Sequence, residues 1–228
     1  MNRVARAAAA RAAATREHAV VHKVAAMVLD YPSPELVEAV PRLRHALDGL
    51  GPRSAHLTVP FDALLEHLEG SRATELEAEY VRTFDLARRR SLYLTYYAYG
   101  DTRKRGVALV EFKQAFAGVG YELAADELPD HLAVVLELGS TGEPAAQEAA
   151  MRLLLAHRAG LELLRLALLD AGSPYAGAVV AVCATLPPLV GKDREAVARL
   201  AAEGPPGEEV GLEPFAPPSY MPDTGARR

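Results

Sequence analysis

Apolar residues recur at intervals of three and four along most of the chain, the spacing of a single helix face. Val20, Val21, Val24, Met27 and Val28 share one side of a helix over about residues 16–29, which the stretch Tyr31-Pro32-Ser33-Pro34 stops. A second helical stretch runs from Pro34 to about Leu50. Pro41, lacking an amide proton, is expected to kink it or split it in two. Further helices are expected from Pro60 to Glu69 and from Arg72 to Phe84. Asp101 reads as the N-cap of a helix from Thr102 to about Val119, ended by Gly118 and Gly120. Pro129 and Asp130 open a short helix through Leu138. Glu143-Pro144 opens the longest, to about Asp170, with Leu153, Leu154, Leu161, Leu164 and Leu168 buried on one side. Ser173-Pro174 caps another, stopped at Pro187-Pro188, and Asp193 caps the last, to about Glu203.

Residues 85–101 break the pattern. Ser91-Leu92-Tyr93-Leu94-Thr95-Tyr96-Tyr97 has high strand propensity, yet all its neighbours are helical, and a lone strand cannot satisfy its backbone. A helical turn or ordered loop is expected there. No segment alternates convincingly with period two, so the reading is all-α: one globular, bundle-like domain of about eight to ten helices over residues 16–203. Residues 1–15, rich in alanine and arginine, read as the frayed beginning of the first helix. From Gly204 to Arg228 six prolines fall within 25 residues, a composition that reads as a disordered tail.

Composition narrows the function classes. With 228 residues, half of them apolar, the chain can bury about 70% of its unfolded surface without disulfides or a structural metal. The formal charge of −5 argues against a general nucleic-acid binder. Cys183, the one cysteine, sits in the apolar run Ala178–Leu186 and reads as a buried structural thiol. No apolar stretch approaches the ~18 residues of a membrane span, and Arg11 interrupts the only candidate for a secretory core, so a cytoplasmic location is expected.

Catalytic templates mostly fail: there is no Walker-type loop, no G-x-S-x-G elbow and no H-E-x-x-H. His18 and His22 stand four apart and could share a metal, but no third ligand follows, and two partly exposed histidines are expected instead. Asp130 and His131 could form an oriented acid–base pair; with no nucleophile to place beside them, the expectation is that Asp130 caps its helix. Two basic triplets, Arg88-Arg89-Arg90 and Arg103-Lys104-Arg105, flank Tyr93, Tyr96, Tyr97 and Tyr99. That combination suits single-stranded nucleic acid, a solvated face, or a peptide-binding surface built from stiff aromatic area and arginine donors. The net acidic charge favours the peptide.

Taken in order, these residues carry a resemblance. Tyr80-Val81-Arg82-Thr83-Phe84-Asp85-Leu86 leads into Leu92-Tyr93-Leu94-Thr95-Tyr96-Tyr97, then Gly100-Asp101-Thr102-Arg103-Lys104-Arg105-Gly106 and Phe112-Lys113. Glu127-Leu128-Pro129-Asp130-His131-Leu132 and Val134-Val135-Leu136-Glu137 complete the set. The string resembles the NarJ family, the molybdenum cofactor assembly chaperones (delta subunits) of respiratory nitrate reductase. It departs from the family pattern at Ala133, where proline is usual, and at Leu138, where an aromatic is usual.

The resemblance implies a non-catalytic, cytoplasmic, all-helical chaperone. Its partner would be the nitrate reductase alpha subunit, including that subunit's N-terminal segment, held competent for molybdenum cofactor insertion before membrane attachment. A related molybdoenzyme is the alternative client. The chaperone itself would need no cofactor or metal, contact no nucleic acid, insert in no membrane, and exist as a monomer or weak homodimer. The expected client-peptide groove gathers Tyr93, Tyr96 and Tyr97 on one side of a helical turn. Arg103 and Arg105 edge it, and Asp101, Asp130 and His131 shape its end. Rival readings are a hydrolytic enzyme using Asp130 and His131, and a nucleic-acid binder using the basic triplets.

Overall fold

The structure, a computed structural model, describes residues 3–124 and 127–204. It is all-α, as the periodicity predicts, and no strand occurs among the described residues. Helices α1 (Arg3–Val28) and α2 (Pro34–Asp48) lead into short turns, α3 (Ala55–Thr58), α4 (Asp62–Gly70) and α5 (Ala73–Tyr80). The small helix α6 (Tyr96–Tyr99) precedes α7 (Arg103–Ala117), α8 (Leu132–Ser140) and α9 (Pro144–Ala156). The series ends with α10 (Arg158–Asp170), α11 (Ala176–Ala184) and α12 (Lys192–Glu203). Ten of these run eight residues or more. Among the described residues no helix is long and apolar enough to cross a membrane. Of the expected tail, only Gly204 is described; residues 205–228 lie outside the described residues.

Local chemistry explains the boundaries. Ser33 caps α2 by accepting from the Leu36 amide (3.3 Å), with Pro34 at the first helical position, where its missing N–H costs nothing. Helix α2 continues unbroken through Pro41, so the expected split does not occur. Its face of Leu36, Val40, Leu43 and Leu47 is buried, and that packing outweighs one lost backbone bond. The longest helix expected is instead two. At His157 the backbone turns to φ −107°, ψ 21°, and its ring tilts onto Phe112 with centroids 5.0 Å apart. The break lets Leu154 of α9 and Leu161, Leu164 and Leu168 of α10 all reach the core, while Leu153 is only partly covered.

The long α1 is therefore the first helix but not the short one expected: it runs from Arg3 through the alanine-rich start. It packs most extensively on α8 and also meets α11. Val21, Val24 and Val28 are buried in that contact, and so is His22, which was expected to be partly exposed. The Thr185 hydroxyl donates to the Val182 carbonyl (2.7 Å), so His22 Nε2–H must be the donor across the 3.0 Å contact to Thr185 Oγ1. A Cβ on Gly139 of α8 would sit 2.5 Å from His22 Nδ1, so α1 and α8 touch only because that position is glycine. Elsewhere, Glu162 on α10 bridges Arg158 and Arg165 at 2.6 Å each, almost wholly inside. Cys183 is buried as expected, and its thiol is pushed up to about 12, chiefly by that burial and then by Glu162.

His22 makes the fold acid-sensitive. Burial, and then neighbouring His18, push its pKa down to about 4 from the usual 6.5. The unfolded chain thus takes up this proton first as pH falls. The contribution of neutral His22 is whole above about pH 6.5 and is lost progressively down to about pH 4. Across that window it is worth roughly 3 kcal/mol. Urea midpoints measured between pH 7 and 4.5 should fall, and His22→Gln should flatten the decline while lowering the neutral-pH value.

Candidate functional site

Residues 85–101, the stretch hardest to read, build the floor of an open cleft. Helix α5 gives way to a π-type turn, Val81–Asp85, closed by Leu86 N–H donating to the Val81 carbonyl at 3.1 Å. This replaces the last turn of the helix expected to reach Phe84. The wider turn leaves carbonyls of Arg82 and Thr83 free, and the Arg90 guanidinium donates to both (3.3 and 2.9 Å). Arg90 is thus structural. Arg89 points to solvent, and Arg88 alone of the triplet reaches the cleft.

The tyrosine string then finds a backbone partner after all. Tyr93 pairs with His131 in a single antiparallel bridge, flanked by Leu94 N–H to Asp130 O (2.9 Å) and Leu132 N–H to Leu92 O (2.8 Å). The expectation of an unpartnered segment missed this, because the partner lies some forty residues downstream. After the bridge, Thr95 starts the short helix α6.

Asp130 holds the arrangement from below. It is fully buried and does not cap α8, whose N-cap is His131. Its Oδ2 accepts from both the Thr95 amide (3.3 Å) and the Thr95 hydroxyl. Arg105 completes the knot: Nε donates to Thr95 Oγ1 (3.2 Å), and Nη2 lies 3.6 Å from Asp130 Oδ2. The carboxylate is therefore committed to Thr95 and Arg105, and the alternative of an Asp130–His131 acid–base pair has no geometric support. Asp101 is not the cap of α7 either; Thr102 holds that position, and Asp101 lies 3.5 Å from Arg105 Nη1.

The cleft above this knot has a volume of about 560 Å³. Of the residues expected to form a groove, it brings together Tyr93, Tyr96, Asp101, Arg105 and His131. The Arg105 guanidinium lies over the Tyr93 ring, 5.3 Å from its centroid, and His131 meets the same ring edge-on at 5.2 Å. Three expected residues lie elsewhere. Tyr97 is buried, its hydroxyl within reach of the Ser91 (2.9 Å) and Arg89 (3.2 Å) carbonyls. It faces α10, where a Cβ on Gly160 would come within 2.6 Å of it. Asp130 lies beneath the floor, and Arg103 is exposed outside the cleft.

The opposite wall was not anticipated. Tyr31 and Asp30 come from the turn after α1, and Tyr80, Phe84 and Asp85 from the end of α5 and the π turn. Tyr80 packs edge-on against Tyr31 (5.4 Å) and donates its hydroxyl to the Leu29 carbonyl (3.1 Å), which locks the two walls together. Tyr80 and Phe84 stand four apart in the quoted string, and that spacing was the available signal. The cleft is thus ringed by tyrosines with Asp30, Asp85 and Asp101 opposing Arg88 and Arg105. Burial lowers the pKa of His131, against the opposing pull of Asp30, Asp130 and Asp85; burial and then Asp130 raise that of Tyr93. Such a surface offers flat apolar area and charge-assisted hydrogen bonds to a polypeptide.

Comparison with known proteins agrees with the geometry. A family model described as nitrate reductase delta subunit matches residues 52–181, which include the cleft floor and all but Asp30 and Tyr31 of its lining. The nitrate reductase-like protein NarX of Mycobacterium tuberculosis (strain H37Rv) is 38% identical over 168 residues, 73% of this chain. The match covers 24% of NarX, so the chain spans about a quarter of that relative's length. The probable nitrate reductase molybdenum cofactor assembly chaperone NarJ of Bacillus subtilis (strain 168) is 28% identical over 132 residues, 57% of this chain and 69% of its own. The chaperone of that name from Escherichia coli (strain K12) is 38% identical over 63 residues, 28% and 27% of the two chains.

Removing the buried carboxylate should loosen the floor. Asp130→Ala strands the Arg105 charge and two Thr95 donors, and should cost about 3 kcal/mol in urea unfolding. Asp130→Asn, which keeps an acceptor for Thr95, should cost clearly less.

Proposed function

The chain belongs to the nitrate reductase delta subunit family, and from that premise we propose that it is a non-catalytic chaperone of nitrate reductase. In this reading it acts in the cytoplasm. The cleft takes the N-terminal segment of the catalytic alpha subunit and holds that subunit competent for molybdenum cofactor insertion before membrane attachment. The observation that carries the reading is the tyrosine-walled cleft, open to solvent yet held from beneath by Asp130, Thr95 and Arg105. A preformed floor loses little entropy when a partner docks. The rim carries both charge signs, which suits an amphipathic helix laid in a groove.

The two tyrosines on either side of the floor have separable roles. Tyr93 is 36% exposed in the cleft and Tyr97 only 1%. Tyr93→Ala should weaken calorimetric binding of an alpha-subunit N-terminal peptide about thirtyfold, some 2 kcal/mol, and barely move the unfolding midpoint. Tyr97→Ala should show the reverse balance, with stability falling by about 3 kcal/mol. Unchanged peptide affinity in Tyr93→Ala would sink the placement of the client.

Acid should also weaken client binding. His131 is already biased toward the neutral form by burial, and a client covering the cleft would desolvate it further. Binding then opposes its protonation, so affinity falls as pH drops from 7 to 5.5. Isothermal titration across that range should show the fall in the wild type and a flatter line in His131→Gln.

A further inference from the structure

A second groove lies behind the floor, on the far side of Leu94 and Tyr97 from the client cleft. Its volume is about 330 Å³, and it runs between α10 and α12. Ala156, Ala159 and Gly160 form one wall, and Ala196 and Leu200 the other. Although α12 packs along α10, it contributes no fully buried residue. Leu200, its principal apolar contact, is only partly covered. The lining is thus apolar and incompletely sheltered. Gly204 itself lines the groove, and 24 further residues follow it.

We infer that this chain's own segment Glu208–Phe215 docks in the α10–α12 groove, folding back from Gly204. The intervening Pro205-Pro206-Gly207 has proline and glycine where a type II turn needs them, so the chain can reverse immediately after α12. Val210 and Leu212 stand two apart and share one face of an extended segment, which would turn both toward the alanine-lined groove. Charge agrees: Arg199 lies at the groove, exposed and without an ion-pair partner among the described residues, while the segment carries Glu208, Glu209 and Glu213. Length agrees as well. The 12 residues of α12 span about 18 Å, and eight extended residues cover about 26 Å. Tethering at Gly204 sets an effective concentration on the order of millimolar, enough for a small apolar contact to persist. A second copy of the chain has no such advantage, and the client cleft lies on the other side of the floor.

The full-length chain tests this with benzoylphenylalanine placed at position 212, irradiated and mapped by mass spectrometry. The expected cross-link is intramolecular, to residues 156–160 or 196–200. Ala156→Glu, an exposed helix position facing the three acids, should cut its yield at least fivefold while circular dichroism stays unchanged. A cross-link into the cleft at Tyr31, Tyr80 or Tyr93, a cross-link between two chains, or no cross-link overturns the proposal. None of these results bears on whether the front cleft binds a client.

Discussion

A single buried carboxylate organises the functional face. Asp130 carries charge in a place with no access to water, and isolated charge there is costly, so its surroundings must supply donors. Thr95 provides two and Arg105 the counter-charge. In doing so they bring together α7, the start of α6 and the segment before α8, which are distant in sequence. The backbone bridge at Tyr93 and His131 runs directly over the same point. Without Asp130, the tyrosine segment would have one short pairing to hold it against an otherwise helical body.

The floor that results has two different faces. Tyr93 and Tyr96 look forward into the cleft, with Arg105 layered on Tyr93. Leu94 and Tyr97 look back toward α10, where Gly160 permits close approach. Alternation of side chains along an extended piece of backbone places neighbours on opposite sides. The forward rings are free to meet a partner because the backward ones are fixed. Recognition and stability thus draw on adjacent residues without competing for the same atoms.

Much of this was legible in the amino-acid order. Three- and four-residue spacing located the helices, and the resemblance carried by residues 80–137 located the cleft region. What escaped were features set by distant packing. The break at His157 has no glycine or proline to announce it; it arises because both leucine rows must reach one core. Tyr97 has the same residue type as Tyr93 and Tyr96, and only the backbone bridge decides that it turns inward. His22 looked like a surface residue beside alanines, and its burial depends on a glycine more than a hundred positions later. The Tyr31 and Asp30 wall came from a turn that sequence alone marked only as a helix stop.

The contact between His22 and Thr185 spans 163 positions of the chain. Ribosomes add about 5 to 20 residues each second, so the first helix emerges on the order of ten to thirty seconds before its polar anchor exists. During that interval its valine face has neither α8 nor α11 to cover it. A nascent protein of this design must remain shielded, or simply avoid its neighbours, until synthesis has nearly finished.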